Sequence, residues 1–126
     1  MMALTALGAA CMLGRPAWTA DALRPEVAKP LAAAQDLYRA HKYRDALGKI
    51  AQAAAVPNRT PYETYMVEAT RGAAAMAAGD TGVAAQAYET VLNSGRLSGA
   101  DEQRTTAALA GIYFQQKNYP QAIRVA

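Results

Sequence analysis

The 126-residue chain has few of the residue types from which catalytic and metal sites are usually built. It contains one cysteine, Cys11, and one histidine, His41, which excludes an internal disulfide and any metal site with two imidazole ligands. It also lacks a phosphate-binding glycine loop, a serine-centred elbow and a zinc signature. Acidic residues such as Glu63 and Glu68 fall at positions typical of helix caps or solvated faces. We therefore predict a non-catalytic protein that uses no metal and no cofactor.

Residues of like charge do not cluster anywhere along the chain. Lysine and arginine number 13 and aspartate and glutamate 10, which gives a net charge of +3, and no run reaches four like charges. This scatter favours solubility over a dedicated nucleic-acid surface, so we predict no nucleic-acid partner. A nucleic-acid-binding helical array stays as an alternative, which a steep salt dependence of binding would favour.

Valine, isoleucine and phenylalanine are scarce whereas alanine dominates, a composition that favours close-packed helices over sheets. The sequence therefore predicts an all-α fold. Thr60-Pro61-Tyr62-Glu63 reads as a capping box, Asp80 can cap the next helix, and Ser98-Gly99-Ala100-Asp101 resembles a box for the one after. The helices are predicted at about 27–40, 44–55, 61–78, 81–93, 99–116 and from 119 onward.

The first 14 residues carry no charge and are small or apolar, a run too short to span a bilayer. Followed by small residues up to Ala22, it is typical of a signal peptide, with cleavage expected near residues 20–22. We therefore predict a signal peptide at 1–22 and a repeat domain at 23–126, in an exported periplasmic or secreted protein without an integral membrane span after cleavage. Because no basic residue precedes the run, a buried helix or a start further upstream is the alternative. Cys11 is interpreted as an apolar residue of this run rather than as a lipoprotein cysteine.

Internal similarity with a period of 38 residues organises the rest of the chain. Three turn-then-helix segments align, beginning at His41, Gly79 and Lys117. Each carries an alanine in register, and another small residue lies twelve positions before it. These pairs are Ala34 with Ala46, Gly72 with Ala84, and Ala110 with Ala122. Because small residues let two helix backbones approach to the short end of the usual ~8–10 Å range, we predict three tight helix hairpins.

The third segment is similar to a known repeat family. Leu109-Ala110-Gly111-Ile112-Tyr113, followed by Asn118-Tyr119-Pro120-Gln121-Ala122-Ile123, resembles the tetratricopeptide (TPR) signature. The resemblance implies antiparallel helix hairpins stacked as a right-handed solenoid, with units at about 27–60, 61–98 and 99–126. The last unit is incomplete, which we interpret as part of a longer array or as a unit completed by a partner. The period departs from the ~34 residues of the family, so we expect about four extra residues between units.

Proteins of this family bind in a concave groove lined by the first helix of each pair, and the resemblance implies the same here. The family's groove positions fall on an apolar stripe of Tyr38, Met76 and Phe114, edged by polar side chains. The predicted partner-binding residues are Gln35, Tyr38, Arg39, Met66, Met76, Arg104, Phe114 and Gln115. We predict an interaction scaffold for a protein or peptide partner, and leave its oligomeric state open. Two alternatives remain: the stripe is core, covered by another helix or by the amino-terminal segment folding back, or the chain is a structural segment of a larger protein.

Overall fold

The computed structural model describes residues 22–126, and all regular structure within that range is helical. The all-α prediction is therefore confirmed, and the predicted helix boundaries lie within about two residues of those observed. Apart from Ala22, the predicted signal peptide lies outside the described residues. The helices are α1 (Pro25–Arg39), α2 (Tyr43–Ala54), α3 (Pro61–Ala78), α4 (Thr81–Asn93), α5 (Gly99–Gln115) and α6 (Tyr119–Val125).

Two of the three predicted helix caps form. At the start of α3, the Glu63 amide donates to Thr60 Oγ1 at 3.1 Å, and the Thr60 amide donates to the Glu63 carboxylate at 2.8 Å. This reciprocal pair is the capping box that the sequence predicts. At the start of α4, the Val83 amide donates to Asp80 Oδ1 at 3.2 Å. Both caps satisfy backbone amides that have no partner within their own helix.

The predicted box at the start of α5 is wrong. Ser98 occupies the N-cap position with an extended backbone, but its side chain accepts no capping hydrogen bond. The Asp101 carboxylate instead pairs with Arg104 one turn further along the helix. The α5 boundary is nevertheless where the sequence places it, since the helix begins at Gly99.

The same turn closes all three hairpins, at the predicted spacing of 38 residues. His41, Gly79 and Lys117 adopt left-handed backbone conformations, with φ of 61°, 80° and 59°. The amide of the following residue then donates back to a carbonyl in the last turn of the helix, at 2.8 Å in each case. This is the Schellman arrangement that commonly ends helices. The donor and acceptor pairs are Lys42 with Leu37, Asp80 with Ala75, and Asn118 with Tyr113.

Each helix packs against the next one along the chain, and α1 also contacts α3. Two hydrophobic clusters result, and Leu47 packs against both of them. The first cluster, among α1, α2 and α3, consists of Val27, Leu31, Ala34, Ala46, Ile50, Ala53, Val67 and Ala74. The second cluster, among α3, α4 and α5, consists of Ala75, Ala84, Ala85, Leu109 and Ile112.

The predicted small pairs are buried in the first two hairpins, whereas Ala110 and Ala122 of the third are only half-buried. Gly72 in α3 lies against the ring of Tyr88 in α4. A Cβ atom added at Gly72 would stand 2.5 Å from a ring carbon of Tyr88. The glycine therefore makes room for an aromatic ring from the neighbouring helix, rather than only for its backbone.

Candidate functional site

Three of the predicted groove residues line one cavity. Gln35, Tyr38 and Arg39 of α1 border a space of about 320 Å³ between α1, α2 and α3. Three buried side chains of the first cluster form its floor, and two residues of α3 complete its wall. The floor residues are Ala34, Ile50 and Ala74, and the wall residues are Thr70 and Ala73. The cavity thus has an apolar base and a mixed rim.

The rim side chains are held by contacts within their own segment. Tyr38 stacks edge-on against Tyr43, with ring centroids 5.2 Å apart, and remains 40% exposed. Arg39 donates to Asp36 at 2.9 Å, in an ion pair whose two side chains are both well exposed. An ion pair in water contributes little to stability, so Arg39 stays available to other polar groups.

The predicted residues of α3 differ in exposure. Met66 is partly buried and packs against the first cluster, so it contributes more to the core than to an open surface. Met76 is 40% exposed, as Tyr38 is. The structure therefore leaves Tyr38 and Met76 accessible on two helices that touch each other.

The predicted residues of α5 form a separate group. Phe114 is 64% exposed and stacks edge-on against Tyr119, with ring centroids 5.5 Å apart. These two rings and Ile123 border an almost wholly apolar depression of about 470 Å³ between α5 and α6. Gln115 is exposed, and Arg104 is engaged in its exposed ion pair with Asp101. The structure does not place these side chains in the α1–α3 cavity.

A buried carboxylate fixes the helices that carry this cavity. Glu63 is fully buried and accepts hydrogen bonds from the backbone amide, Nε and Nη2 of Arg24, at 3.0–3.2 Å. Arg24 Nη2 also donates to the carbonyls of Pro57 and Asn58, each at 3.2 Å. The Arg24 guanidinium, with help from the Thr60 amide, lowers the pKa of Glu63 to about 2, against the opposing effect of burial. The start of α1, the α2–α3 loop and the start of α3 are thereby joined.

A second carboxylate joins the last three helices. Tyr113 Oη donates to Glu89 at 2.6 Å, and Arg124 Nη2 donates to the same oxygen at 2.7 Å. The Tyr113 hydroxyl and the Arg124 guanidinium lower the pKa of Glu89, although burial opposes them. Burial and the Glu89 carboxylate in turn raise the pKa of Tyr113. This group of three residues links α4, α5 and α6.

The sequence interpretation of the acidic residues needs one correction. Glu63 does cap a helix, but neither Glu63 nor Glu68 is solvated: Glu63 has no exposed surface and Glu68 is 9% exposed. Glu68 accepts two hydrogen bonds from Arg71, at 3.0 and 3.1 Å. Both carboxylates are occupied by arginines, which is the usual condition for burying such groups.

Sequence reasoning missed two parts of this site. Thr70 and Ala73 follow Met66 at helical spacings of four and seven residues, so extending the predicted stripe along α3 would have found them. No sequence pattern indicates the role of Arg24. Its contact with Glu63 joins residues 39 positions apart, a separation that does not match the 38-residue repeat.

Comparison with models of known protein families, with curated proteins and with solved structures finds no match. Within residues 22–126, no group of three histidine, cysteine, aspartate or glutamate side chains is arranged to hold a metal ion. None of the helices described there is long and apolar enough to cross a membrane.

Proposed function

We propose that this chain is a TPR-like scaffold that binds a polypeptide without catalysing a reaction. The binding surface is formed by the first helix of each pair, α1, α3 and α5. The observation that carries the proposal is the exposure of its large side chains. Tyr38, Met76 and Phe114 lie 38 residues apart, one on each first helix, and are 40%, 40% and 64% exposed.

Side chains of this kind suit contact with another polypeptide. Aromatic residues and methionine are enriched in protein interfaces, where they bring large contact areas, and methionine adapts to different partners. Regularly spaced exposed side chains also suit an extended or helical segment better than a compact small molecule.

The repeated turns and the small buried residues support the TPR-like part of the proposal. The turns recur in all three hairpins with the 38-residue period, the small residues are buried in the first two, and helices neighbouring in sequence are neighbours in space. Stacked helix pairs of this kind present one continuous face, on which a partner can contact several units at once. We include in the proposal that the protein is exported and acts in the cell envelope, on the strength of its apolar amino-terminal run.

The experiment compares three full-length proteins as baits in an envelope extract. The test variant carries Tyr38→Ala, Met76→Ala and Phe114→Ala; the control carries Gln52→Ala and Gln86→Ala, which remove exposed side chains from α2 and α4, the second helices of the first two pairs. Captured polypeptides are identified, purified and titrated against each bait, and helicity is checked by circular dichroism.

We expect the test variant to stay helical and to bind the captured polypeptide at least tenfold more weakly than wild type does. The control is expected to bind it with unchanged affinity. Loss of helicity in the test variant would show that these side chains belong to the hydrophobic core. Equal affinity for all three baits would place binding elsewhere on the molecule.

A further inference from the structure

We infer that two copies of this chain associate through the exposed face of α5 and α6, related by a two-fold axis that runs across both helices. The inference goes beyond the proposed function, because it concerns the last helix pair and a partner identical to the chain itself. It rests on three features of that face: its exposed apolar side chains, the burial of the same positions in the first two units, and the charges at its two ends.

The most exposed large apolar side chains of residues 22–126 lie together on this face. Ile123 is 78% exposed, Phe114 64% and Tyr119 49%, whereas Tyr38 and Met76 are each 40% exposed. The first three border the depression between α5 and α6, and its remaining lining residues are Ala110, Gly111, Ala122 and Ala126. Apolar side chains grouped in this way commonly mark a surface that another molecule covers.

The first two units show that a helix covers this surface elsewhere in the chain. Six of the seven lining positions are more exposed in the third unit than in either earlier unit, and the seventh, Gly111, is exposed in all three. In the earlier units the first helix of the next pair, α3 or α5, packs against the second helix. Leu47 and Ala85, the counterparts of Ile123, pack into clusters that include side chains of that following helix. The surface left open on α5 and α6 is therefore one that suits an apolar helical face.

A second copy does not provide such a face on α1. Val67 and Ala74 of α3 are buried in the first cluster, whereas their counterparts in α1 are Lys29 and Asp36, which are both exposed. Stacking α1 of one copy on α6 of another would press these charges against an apolar surface, which is unfavourable. A two-fold contact instead places the α5–α6 face of one copy on the same face of the other. Both surfaces are then apolar.

Charges at the two ends of the face favour one orientation of this pair. Glu102, near the start of α5, borders a neighbouring depression that shares Ala110 and Ala126 with the first. Lys117 lies in the turn between α5 and α6, at the opposite end of both helices. Both side chains are exposed, and neither forms an ion pair within residues 22–126. An axis across the helices brings Glu102 of each copy to Lys117 of the other, whereas an axis along them would oppose like charges.

The association is expected to be weak. Seven residues line the depression, whereas stable interfaces use about 20–30 residues on each side. We therefore expect a dissociation constant of about 10–100 μM. The chain is then largely monomeric at the low micromolar concentrations at which unfolding is followed.

The first experiment measures the mass of the full-length chain by sedimentation equilibrium, from about 1 to about 500 μM. Ile123→Glu places a charge in the centre of the face, and Gln52→Glu adds the same charge at an exposed position of α2 as a control. Both positions are exposed, so both variants are expected to fold, which circular dichroism checks. Neither variant changes Tyr38, Met76 or Phe114, so this test and that of the proposed groove can fail independently.

A second set of variants tests the orientation. Glu102→Lys and Lys117→Glu each replace the two expected ion pairs by like charges, and the double variant restores both pairs with their signs exchanged. These measurements are made at low salt, because screening weakens exposed pairs.

Wild type is expected to pass from monomer to dimer and to go no further. Ile123→Glu is expected to weaken the dimer at least tenfold, whereas Gln52→Glu leaves it unchanged. Each single charge reversal is expected to weaken it about fivefold, and the double variant to return within about twofold of wild type.

Three results would overturn the inference. A chain that stays monomeric throughout would leave this face to a different polypeptide. Equal association of wild type and Ile123→Glu would place the contact elsewhere, and masses that keep growing beyond the dimer would indicate head-to-tail stacking. A double charge variant no stronger than the single ones would contradict the two-fold axis across the helices.

Discussion

The α1–α3 end of the molecule and the α5–α6 end are built on the same 38-residue pattern but bury their side chains differently. Val27, Leu31 and Ile50 at the first end are almost completely buried. At the second end Ile123 is 78% exposed, although Leu47 and Ala85, its counterparts in the two earlier units, pack into clusters that include side chains of the following helix. A repeat position is therefore core where another helix covers it and surface where none of the described helices does.

The two carboxylate groups show the same contrast. Glu63 has no exposed surface and accepts hydrogen bonds from Arg24 and Thr60. The side chain of Glu89 is 35% exposed and is held by Tyr113 and Arg124. Each carboxylate connects three segments, but the more deeply buried one has more donors. We expect the α1–α3 end to be the more rigid of the two, because burial strengthens polar interactions that are fully satisfied.

The largest expected effect comes from shortening one isoleucine at each end. Ile50→Ala is expected to lower the free energy of unfolding by about 3 kcal/mol, because it removes buried methyl groups from the first cluster. Ile123→Ala is expected to change it by no more than about 0.5 kcal/mol, since that side chain is already in water. Urea denaturation followed by circular dichroism measures both. Similar losses in the two variants would show that α6 is covered in solution.

The next comparison removes each carboxylate. Glu63→Ala is expected to cost about 2–3 kcal/mol, because it abolishes the capping box and the charged hydrogen bonds to Arg24. Glu89→Ala is expected to lower the free energy of unfolding by about 1 kcal/mol. The site is partly exposed, so water can replace some of the hydrogen bonds that Tyr113 and Arg124 lose. The same urea titrations give both values, and a larger loss for Glu89→Ala would reverse the proposed order of rigidity.

Lowering the pH tests the Glu63 carboxylate in another way, with a smaller loss of stability that grows gradually as the pH falls. The pKa of Glu63 is lowered from 4.5 to about 2 in the folded chain, so its ionised form stabilises the fold fully above about pH 4.5. That contribution is expected to disappear as the pH falls from about 4.5 to about 2. Glu63→Gln should lose stability less steeply over this range, with the remaining slope including the contribution of Glu89. Urea midpoints at several pH values between 2 and 7 measure the difference, and parallel curves would contradict the assignment.

The smallest expected effect compares two helix glycines. Gly72→Ala is expected to destabilise by about 1 kcal/mol, because the new methyl group meets the Tyr88 ring. Gly111→Ala is expected to stabilise by up to about 1 kcal/mol, because nothing lies within 4 Å of the added atom and alanine favours the helix. Thermal unfolding of wild type and the two variants measures this difference: the melting temperature should fall for Gly72→Ala and rise for Gly111→Ala. A stabilising Gly72→Ala would mean that Tyr88 turns away at little cost.

Local signals explain why the helices were predictable. Thr60, Glu63 and Asp80 cap helices through contacts within three residues, so their sequence spacing is enough to identify them. Ser98 shows the limit of such signals. A serine in the right position caps a helix only if its rotamer reaches the amide, and here it does not. Three of the predicted groove residues on α1, Gln35, Tyr38 and Arg39, border one cavity. On α3 the cavity is bordered by Thr70 and Ala73, which helical spacing from Met66 indicates but the prediction left out.

Over residues 22–126 the sequence by itself determined the local elements: six helices, their boundaries to within about two residues, three equivalent turns and the positions of the small residues. These follow from hydrogen bonds and backbone preferences that act over a few residues. Only the tertiary structure decided which repeat positions are buried, that Arg24 reaches Glu63, and that a cavity opens between α1, α2 and α3. Those features depend on which side chains meet across neighbouring helices. Contacts of that kind join residues far apart in the chain, and no local pattern records them.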